Sequence, residues 1–293
     1  MTRAPDIGVV VVSHRSARTL GRCLDCLRAA EGVAQIVVVD NASDDTSSVI
    51  VERQAKSDSR LQMLDNAANH GFGYACNQGA RLLDTPWVAF VNPDVYVARD
   101  DLARLASHAS SAPGAGLLGT DAVDANGKAD PAVRRWDPSL RRLLLRAGAR
   151  DELYFGRDPA ASLQRVEATS GALMLLPLAL FKKLNGFDEG YRLHAEDLDL
   201  CRRVREAGYE VLVANDITVL HLRGVSSRTR PLWAEWQKHR GLWRYFKKFE
   251  SAQTSEPMRA LIWLGLWLHF WLMAAPTALW RRLIPGKLVS DKD

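Results

Sequence analysis

The sequence predicts an α/β fold on a doubly wound sheet, and three observations predict it. Short β-branched runs such as Ile7 to Val12 have the length and composition of buried parallel strands. They alternate with segments whose apolar residues recur at helical spacing, beginning with Leu20, Leu24 and Leu27. Acids then recur at the carboxyl ends of strands, at Asp40 after IVVV and at Asp94 in VAFVNPD. In an open α/β sheet that edge is where ligands bind.

The elements follow in order. After the first strand and its amphipathic helix, a second strand runs from Ile36 to Asp40, and the loop Asn41 to Asp45 caps a helix near Val49 to Ala55. A short strand at Leu61 to Leu64 leads through Asn69-His70-Gly71-Phe72-Gly73 into a helix from Tyr74 to Leu83. The strand Trp87 to Val91 ends at Asn92-Pro93-Asp94, and a helix spans Asp101 to Ser110. This β-α-β-α order calls for right-handed crossovers. From Leu117 to Val166 the pattern loosens, and Val133 to Pro138 with Arg141, Arg142 and Arg146 reads as an excursion over the surface. Order returns in the strand Ala172 to Leu176. Tyr209 to Ala214 and Ile217 to Leu222 are expected to flank a turn, which puts His221 at a strand end.

The pair Glu196-Asp197 carries the most information. It follows a loop rich in glycine and aromatic residues and precedes Leu198, Cys201 and Val204, which recur at helical spacing. The acids therefore sit at a helix start, where Asp caps well and unpaired N–H groups stabilise a carboxylate. A cap needs one acid, so the second implies chemistry. Taken alone, Asp197 remains open to a plain N-cap reading with Asp199 and Arg202 as solvated neighbours.

Composition sets the limits. With 293 residues, 47% of them hydrophobic, the chain buries a large core and holds one catalytic domain with an appendage. The net charge of +5 suits an anionic ligand or membrane surface, and no helix-turn-helix, RNA-binding aromatic signature or zinc-finger spacing points to nucleic acid. Cys23 and Cys26 form a C-x-x-C that no second pair completes, so the thiols, with Cys76 and Cys201, are packing residues. No signal peptide is expected at the polar start, and a reducing compartment fits.

The tail is distinct. Leu232 to Phe249 mixes aromatics with Lys238, Arg240, Arg244, Lys247 and Lys248, a basic amphipathic helix. Ala260 to Trp280 then carries no formal charge and is long enough to span a bilayer. His269, Pro276 and basic flanks on both sides (Lys247, Lys248, Arg259; Arg281, Arg282) argue against a span, and Trp263, Trp267 and Trp271 form a stripe suited to a headgroup interface. Interfacial or re-entrant association is the leading expectation, with a true span next and core packing or dimerisation as the remaining alternative.

The segments VVVVSHRSARTLGRCLDCL, VVVDNASDD, NHGFGYACNQGA, FVNPDV, SGALML, GFDE and EDLDLCRRVREAGY, closed by His221, together resemble the family 2 glycosyltransferases and, within them, the rhamnosyltransferase-like group. The resemblance covers about residues 7 to 225 in the family's order. It implies a GT-A type fold with a mixed sheet, in which residues 1–228 form the catalytic domain, about 1–115 binding the nucleotide-sugar and 116–228 the acceptor, ahead of a helical tail at 229–293. It implies Asp197 as general base, Glu196 orienting the acceptor, and Asp94 with His221 holding Mg²⁺ or Mn²⁺. A D-x-D arrangement is common in the family; here Asn92-Pro93-Asp94 stands in its place.

By the same resemblance Ser13, His14, Asp40, Asn41, Asn69, Gly71, Gly73, Asn77 and Asn92 line the nucleotide-sugar site, and Gly171, Asp188 and Glu189 lie at the acceptor. The implied reaction is inverting transfer of a sugar, dTDP-L-rhamnose being the favoured donor and a UDP- or GDP-sugar the alternative, to a saccharide or lipid-linked saccharide at the cytoplasmic side of a bacterial inner membrane. A nucleotidyltransferase would carry a glycine-rich loop after strand one, where this chain has SHRSARTL. A catalytically degenerate scaffold of a polysaccharide assembly complex is the rival outside catalysis.

Overall fold

The computed structural model describes residues 6–139, 153–222 and 231–277. The first half is β1 (Ile7–Ser13), α1 (Ala17–Ala29), β2 (Val33–Asp40), α2 (Ser47–Ala55), β3 (Leu61–Asp65), α3 (Phe72–Arg81) and β4 (Trp87–Val91). Its strands are all parallel, in the order β3-β2-β1-β4. Every residue of β1 is buried, as helices on both sheet faces require. Leu20, Cys23, Leu24 and Leu27 of α1 are fully buried, each leucine contributing roughly 1.5–3 kcal/mol of burial.

The second half adds β5 (Val95–Tyr96), α4 (Asp101–Ser111), β6 (Ala115–Val123), β7 (Leu163–Val166), β8 (Leu173–Pro177), α5 (Leu178–Lys183), α6 (Glu196–Glu206) and β9 (Glu210–His221). The sheet continues β4-β8-β6-β9-β5, with β7 also paired to β9. β8 runs antiparallel to both neighbours, which makes the nine-stranded sheet mixed. The carboxyl ends of β1, β2, β4, β6 and β9 and the amino end of β8 share one edge.

Three expectations are corrected here. β6 occupies the segment where periodicity loosens, yet it is a central, buried strand. The two stretches expected to flank a turn are one strand, β9; Thr120 faces Ala214 while Asp121 faces Thr218, so residues 215–217 bulge. Asn215 is buried in that bulge; its backbone N–H donates to the Ser162 carbonyl at 2.7 Å, and its side-chain amide donates to the carbonyls of Asp158 and Ala161, 2.9 Å each. Finally, Val133 to Pro138 is no surface excursion. Arg134 is buried against Asp121 at 2.7 Å, and Asp137 is buried and accepts from the Tyr245 hydroxyl. Arg141, Arg142 and Arg146 lie outside the described residues.

The C-terminal helices are α7 (Pro231–Phe249) and α8 (Glu256–His269), the latter continued by a widened turn at Phe270–Ala274. Pro276, which lacks an N–H and crowds the turn before it, accounts for the widening. α7 docks on the catalytic domain: Tyr245 and Phe246 are buried, and Arg244 and Lys248 bind Asp188. Its basic face is thus partly internal. α8 packs on α7 through Trp236 and Trp267, with ring centres 4.5 Å apart, and through His239 and His269, 3.1 Å between nitrogens. His269 therefore has a partner inside the apolar run. The tryptophan stripe divides: Trp267 turns toward α7, while Trp263 and Trp271 join Leu261, Leu264, Leu268, Leu272 and Met273 on an exposed face. Residues Glu256–Thr277 are long and apolar enough to cross a membrane by length and composition. Trp280, Arg281 and Arg282 lie outside the described residues.

Candidate active site

At the carboxyl ends of β1 to β3 a polar network joins four segments. His14 Nδ1 donates to the Asn41 carbonyl at 3.0 Å, which leaves Nε2 as the acceptor side of the ring. Asn41 donates to Asn69 Oδ1 (3.2 Å) and to the Gly71 carbonyl (3.1 Å), and its Oδ1 accepts from Asn66 and from the His70 N–H. The Ser13 hydroxyl is buried without a partner, and its carbonyl accepts from Asn41. Asp40 is buried and accepts from Ser43 N (2.8 Å) and Ser43 Oγ (2.6 Å), so it organises the loop while retaining lone pairs for a ligand.

Gly71 adopts φ +98°, and a Cβ there would meet the Arg192 carbonyl at 2.9 Å. Glycine is required on both counts. Gly73 approaches Phe187 in the same way, and Asn77 is buried, its amide donating to the Phe187 carbonyl and Glu189 Oε1, 2.9 Å each, while its oxygen accepts from Phe187 N. Asn77 is therefore engaged in pinning the Gly186 to Glu189 segment. Asp188 is likewise engaged by Arg244 (2.7 Å) and Lys248 (2.9 Å); burial opposes its charge, and those cations overcome it and hold the carboxyl below its usual range.

One strand pairing brings Asp94 and His221 together. Val95 of β5 faces His221 of β9, and Leu222 N–H donates to the Asp94 carbonyl at 3.0 Å. Asp94 Oδ1 then lies 3.5 Å from His221 Nε2. On the other side His221 Nδ1 is 3.6 Å from Asp130 Oδ2. Asp130 escaped the sequence reading, since it sits alone before Pro131 in the loosened segment with no pattern around it. Its Oδ1 accepts from Ala132 N at 2.7 Å, which fixes the carboxylate behind the imidazole. One carboxylate and one imidazole facing each other fit a divalent cation whose other positions belong to phosphate and water. Among the described residues no group of three or more His, Cys, Asp or Glu could hold a metal ion without such help.

The carboxylate pair begins α6. Ala195 caps it with φ 70°, preceded by His194 at φ 67°, so the acids occupy the first turn rather than the cap. Arg15 and Ala42 are also left-handed, so among the described residues four of the five non-glycine residues with positive φ flank His14, Asn41 and Glu196. Such strain gathers at functional sites. Asp197 Oδ2 accepts from Gly171 N–H (3.3 Å) and from Arg135, and Oδ1 accepts from Leu198 N–H (2.8 Å). A Cβ on Gly171 would stand 3.3 Å from the Asp197 Cβ, so the bare backbone lets the carboxylate in.

Burial alone would raise the Asp197 pKa, but the Arg135 guanidinium outweighs it and holds this carboxyl below its usual value. Glu196 has no such partner. Its Oε2 is buried and unbonded, and burial, with the Asp197 charge beside it, pushes its pKa up to about 8. The environment therefore favours the ionised form of Asp197 and the protonated form of Glu196. Asp199 is fully buried against Arg203, Lys248 and the Tyr191 hydroxyl, which excludes the solvated-neighbour reading.

The two centres belong to one edge. Asn92 N–H donates to the Ala172 carbonyl at 2.9 Å, and Gly171 holds Asp197, so the turn carrying Asp94 and the segment gripping Asp197 are hydrogen-bonded neighbours. Arg135 escaped the sequence reading because only the fold brings it within reach of Asp197.

Comparison with known proteins bears on the family and the fold. The profile of glycosyl transferase family 2 matches residues 8–170. The chain is 28% identical to N-acetylglucosaminyl-diphospho-decaprenol L-rhamnosyltransferase of Mycobacterium tuberculosis, over 97% of this chain and 98% of that protein. It is 25% identical to rhamnosyltransferase WbbL of Escherichia coli, over 68% of this chain and 77% of the relative. Among solved structures it is similar to a mannosyltransferase from Pyrobaculum calidifontis in complex with GDP-Man and Mn²⁺, at TM-score 0.60 and 18% identity, covering 96% of this chain and 74% of that one. A TarS structure from S. aureus (residues 1–349) gives TM-score 0.57 at 18% identity, over 91% and 72% of the two chains.

Proposed function

The chain belongs to glycosyl transferase family 2 and is a glycosyltransferase; from that premise we propose that it moves L-rhamnose from dTDP-L-rhamnose to a hydroxyl of a lipid-linked saccharide, inverting the anomeric centre. The observation that carries the reading is the single sheet edge on which Asp94 with His221, and Asp197 on the Gly171 N–H, are joined by the Asn92 to Ala172 hydrogen bond.

In this reading the ends of β1 to β3 take the nucleoside. Asp40 and the His14 to Asn41 network face its base and ribose, and Asn69, Gly71 and Gly73 bring backbone alongside the donor. Asp94 and His221 hold a divalent cation, Mg²⁺ or Mn²⁺, which when bound neutralises charge on the departing diphosphate. Asp197, kept ionised by Arg135, accepts the proton of the acceptor hydroxyl as that oxygen attacks the anomeric carbon. Glu196, protonated beside it, adds no second negative charge and can donate to the acceptor. Residues about 1–115 thus serve the donor and 116–228 the acceptor.

The favoured donor and acceptor rest on the two rhamnosyltransferase relatives, one named for a diphospho-decaprenol substrate. The exposed apolar face of α8 supports attachment to a membrane, lying on it or re-entering it, and the cytoplasmic side of the inner membrane is the place proposed for it. The test is a panel of nucleotide sugars, each with Mg²⁺ or Mn²⁺, assayed for turnover by the wild type and by Asp197→Asn. Turnover of dTDP-L-rhamnose above the UDP- and GDP-sugars, lost in the variant, is the expected result. Preference for another sugar overturns the donor assignment, and wild-type turnover by Asp197→Asn overturns the base.

A further inference from the structure

A second concavity lies beside the base and outside the residues assigned to it. It has a volume of about 650 Å³ and runs between residues 188–192 and α7, with Trp267 of α8 at one side. Its cations outnumber its acids. Arg244 and Lys248 are satisfied by Asp188, the groove's one acid, and Lys248 also by Asp199. Arg192, Arg240 and Lys247 remain, exposed and without a carboxylate partner among the described residues, Arg192 making one long hydrogen bond to the Asn69 carbonyl at 3.4 Å. Trp236 and Trp243 line the same groove, so the unmatched charge sits against aromatic walls.

Its position fixes what it can serve. Arg192 lies four residues before Glu196, and Gly241 of α7 packs so closely on the loop that a Cβ would meet the His194 carbonyl at 2.9 Å. The groove is therefore adjacent to the start of α6 on one side. On the other it borders Trp267, from which the exposed apolar face of α8 departs. An occupant must present a sugar toward Asp197, negative charge to three unpaired cations, and an apolar chain toward α8.

We infer that this groove holds the diphosphate of the lipid-linked acceptor, with Arg192, Arg240 and Lys247 on its oxygens and the first isoprenoid carbons against Trp236, Trp243 and Trp267. The inference rests on the reading of the acceptor as a lipid-linked saccharide. Charge complementarity selects a diphosphate over a neutral glycolipid, because guanidinium and ammonium groups bond more strongly to an anion, where both partners carry charge, than to a neutral hydroxyl.

The full-length protein, its Arg240→Gln/Lys247→Gln double variant and the variant Lys238→Gln, which changes a charge of the same helix outside the groove, are titrated in EDTA with geranyl diphosphate, inorganic diphosphate and geraniol. Tryptophan fluorescence reads binding, and circular dichroism with the thermal midpoint checks folding. Geranyl diphosphate should bind the wild type at least about tenfold more tightly than either fragment, and the double variant should weaken it by about tenfold or more while Lys238→Gln does not. Equal affinity in wild type and double variant overturns the inference, as does equal weakening by Lys238→Gln. Displacement of geranyl diphosphate by phosphatidylglycerol vesicles with the same charge dependence would reassign the cations to lipid headgroups and also overturn it. Transfer to soluble saccharides alone refutes the acceptor reading itself; unchanged binding in the double variant alongside transfer to a lipid-linked saccharide refutes the groove alone.

Discussion

Arg135 donates through Nη2 to both the Asp197 carboxylate and the Thr169 carbonyl, which ties the base to the segment entering β8. The guanidinium thus positions the carboxylate and favours its charged form against the cost of burial. Replacing Arg135 with Met should move the acid limb of the kcat/KM profile to higher pH, because the carboxylate stays desolvated and loses its cation. Activity at pH 7 should fall by about 10²-fold, and Arg135→Lys should restore part of it. A pH–rate profile decides the matter: a loss uniform across pH, with the limb unmoved, would mean that Arg135 only supports the fold.

Glu196 sends stability the other way. Its pKa is raised, to about 8, by burial first and the Asp197 charge second, so between its unfolded value near 4.5 and about 8 the folded chain binds more protons than the unfolded one. Stability contributed by this group is full below that window and is lost as pH rises through it. Glu196→Gln, neutral at every pH, should lose less stability than the wild type on going from pH 5 to 9. Urea midpoints across that range test it, and parallel slopes in the two proteins would contradict the assignment.

The chain shows unevenly what it will do. Asp94, Asp197 and His221 are legible because each ends a strand or begins a helix, and local pattern marks such places. Arg135, Asp130 and the docking of α7 are not, because each acts on a partner distant in sequence: Arg135 on Asp197, Asp130 on His221, Arg244 on Asp188. β6 is obscured by its own composition. Gly119, Thr120 and Asp121 dilute its apolar run, yet the glycine is demanded by packing, since a Cβ there would meet the Thr169 hydroxyl at 2.5 Å. The basic face of α7 misleads for a related reason, because a cation answering a buried acid cannot be told from one facing lipid until the acid is located.

Asp130 should set metal affinity from behind the imidazole. Its Oδ2 lies 3.6 Å from His221 Nδ1, just beyond hydrogen-bond reach, so its charge acts on the face of the ring opposite Nε2, which faces Asp94. Outer carboxylates of this kind change metal affinity by about 10- to 100-fold. Asp130→Asn should raise the Mn²⁺ or Mg²⁺ concentration for half-maximal activity by about tenfold and leave kcat at saturating metal nearly unchanged. Titration of activity with each cation checks it; a fall in kcat with unchanged metal dependence would count against the arrangement.

Asp199 holds the domain together beneath the site. It is fully buried and serves Arg203, Lys248 and Tyr191, so Asp199→Ala strands the largely buried Arg203 guanidinium and the Tyr191 phenol and takes from Lys248 one of its two partners. Removing one partner of a buried pair costs about 3–5 kcal/mol, discounted here because Lys248 retains 32% side-chain exposure and Asp188 as a second partner. A loss of about 3 kcal/mol by urea denaturation is expected. A change below about 1 kcal/mol would show that the network is readily replaced by water.

Two truncations separate the roles of the C-terminal helices. α7 supplies buried Tyr245 and Phe246, the cations that pair Asp188 and one of the two that pair Asp199, so deletion of residues 229–293 should strip Asp188 of both cations, leave Asp199 with Arg203 alone, and destabilise the catalytic domain. Deletion from Pro257 to Asp293 leaves those contacts intact. It removes Trp263, Leu264, Leu268, Trp271 and Leu272, the exposed apolar face. Surface of that kind, unpartnered in the monomer and bordered by the cations of α7, is suited to a bilayer interface, where burial yields roughly 25 cal/mol per Å². The shorter deletion should therefore keep the thermal midpoint of the catalytic domain within a few degrees of the wild type and abolish sedimentation with anionic vesicles. Unchanged pelleting of the 257–293 deletion would place membrane attachment elsewhere, and a collapse of its thermal midpoint would make α8 a structural element instead.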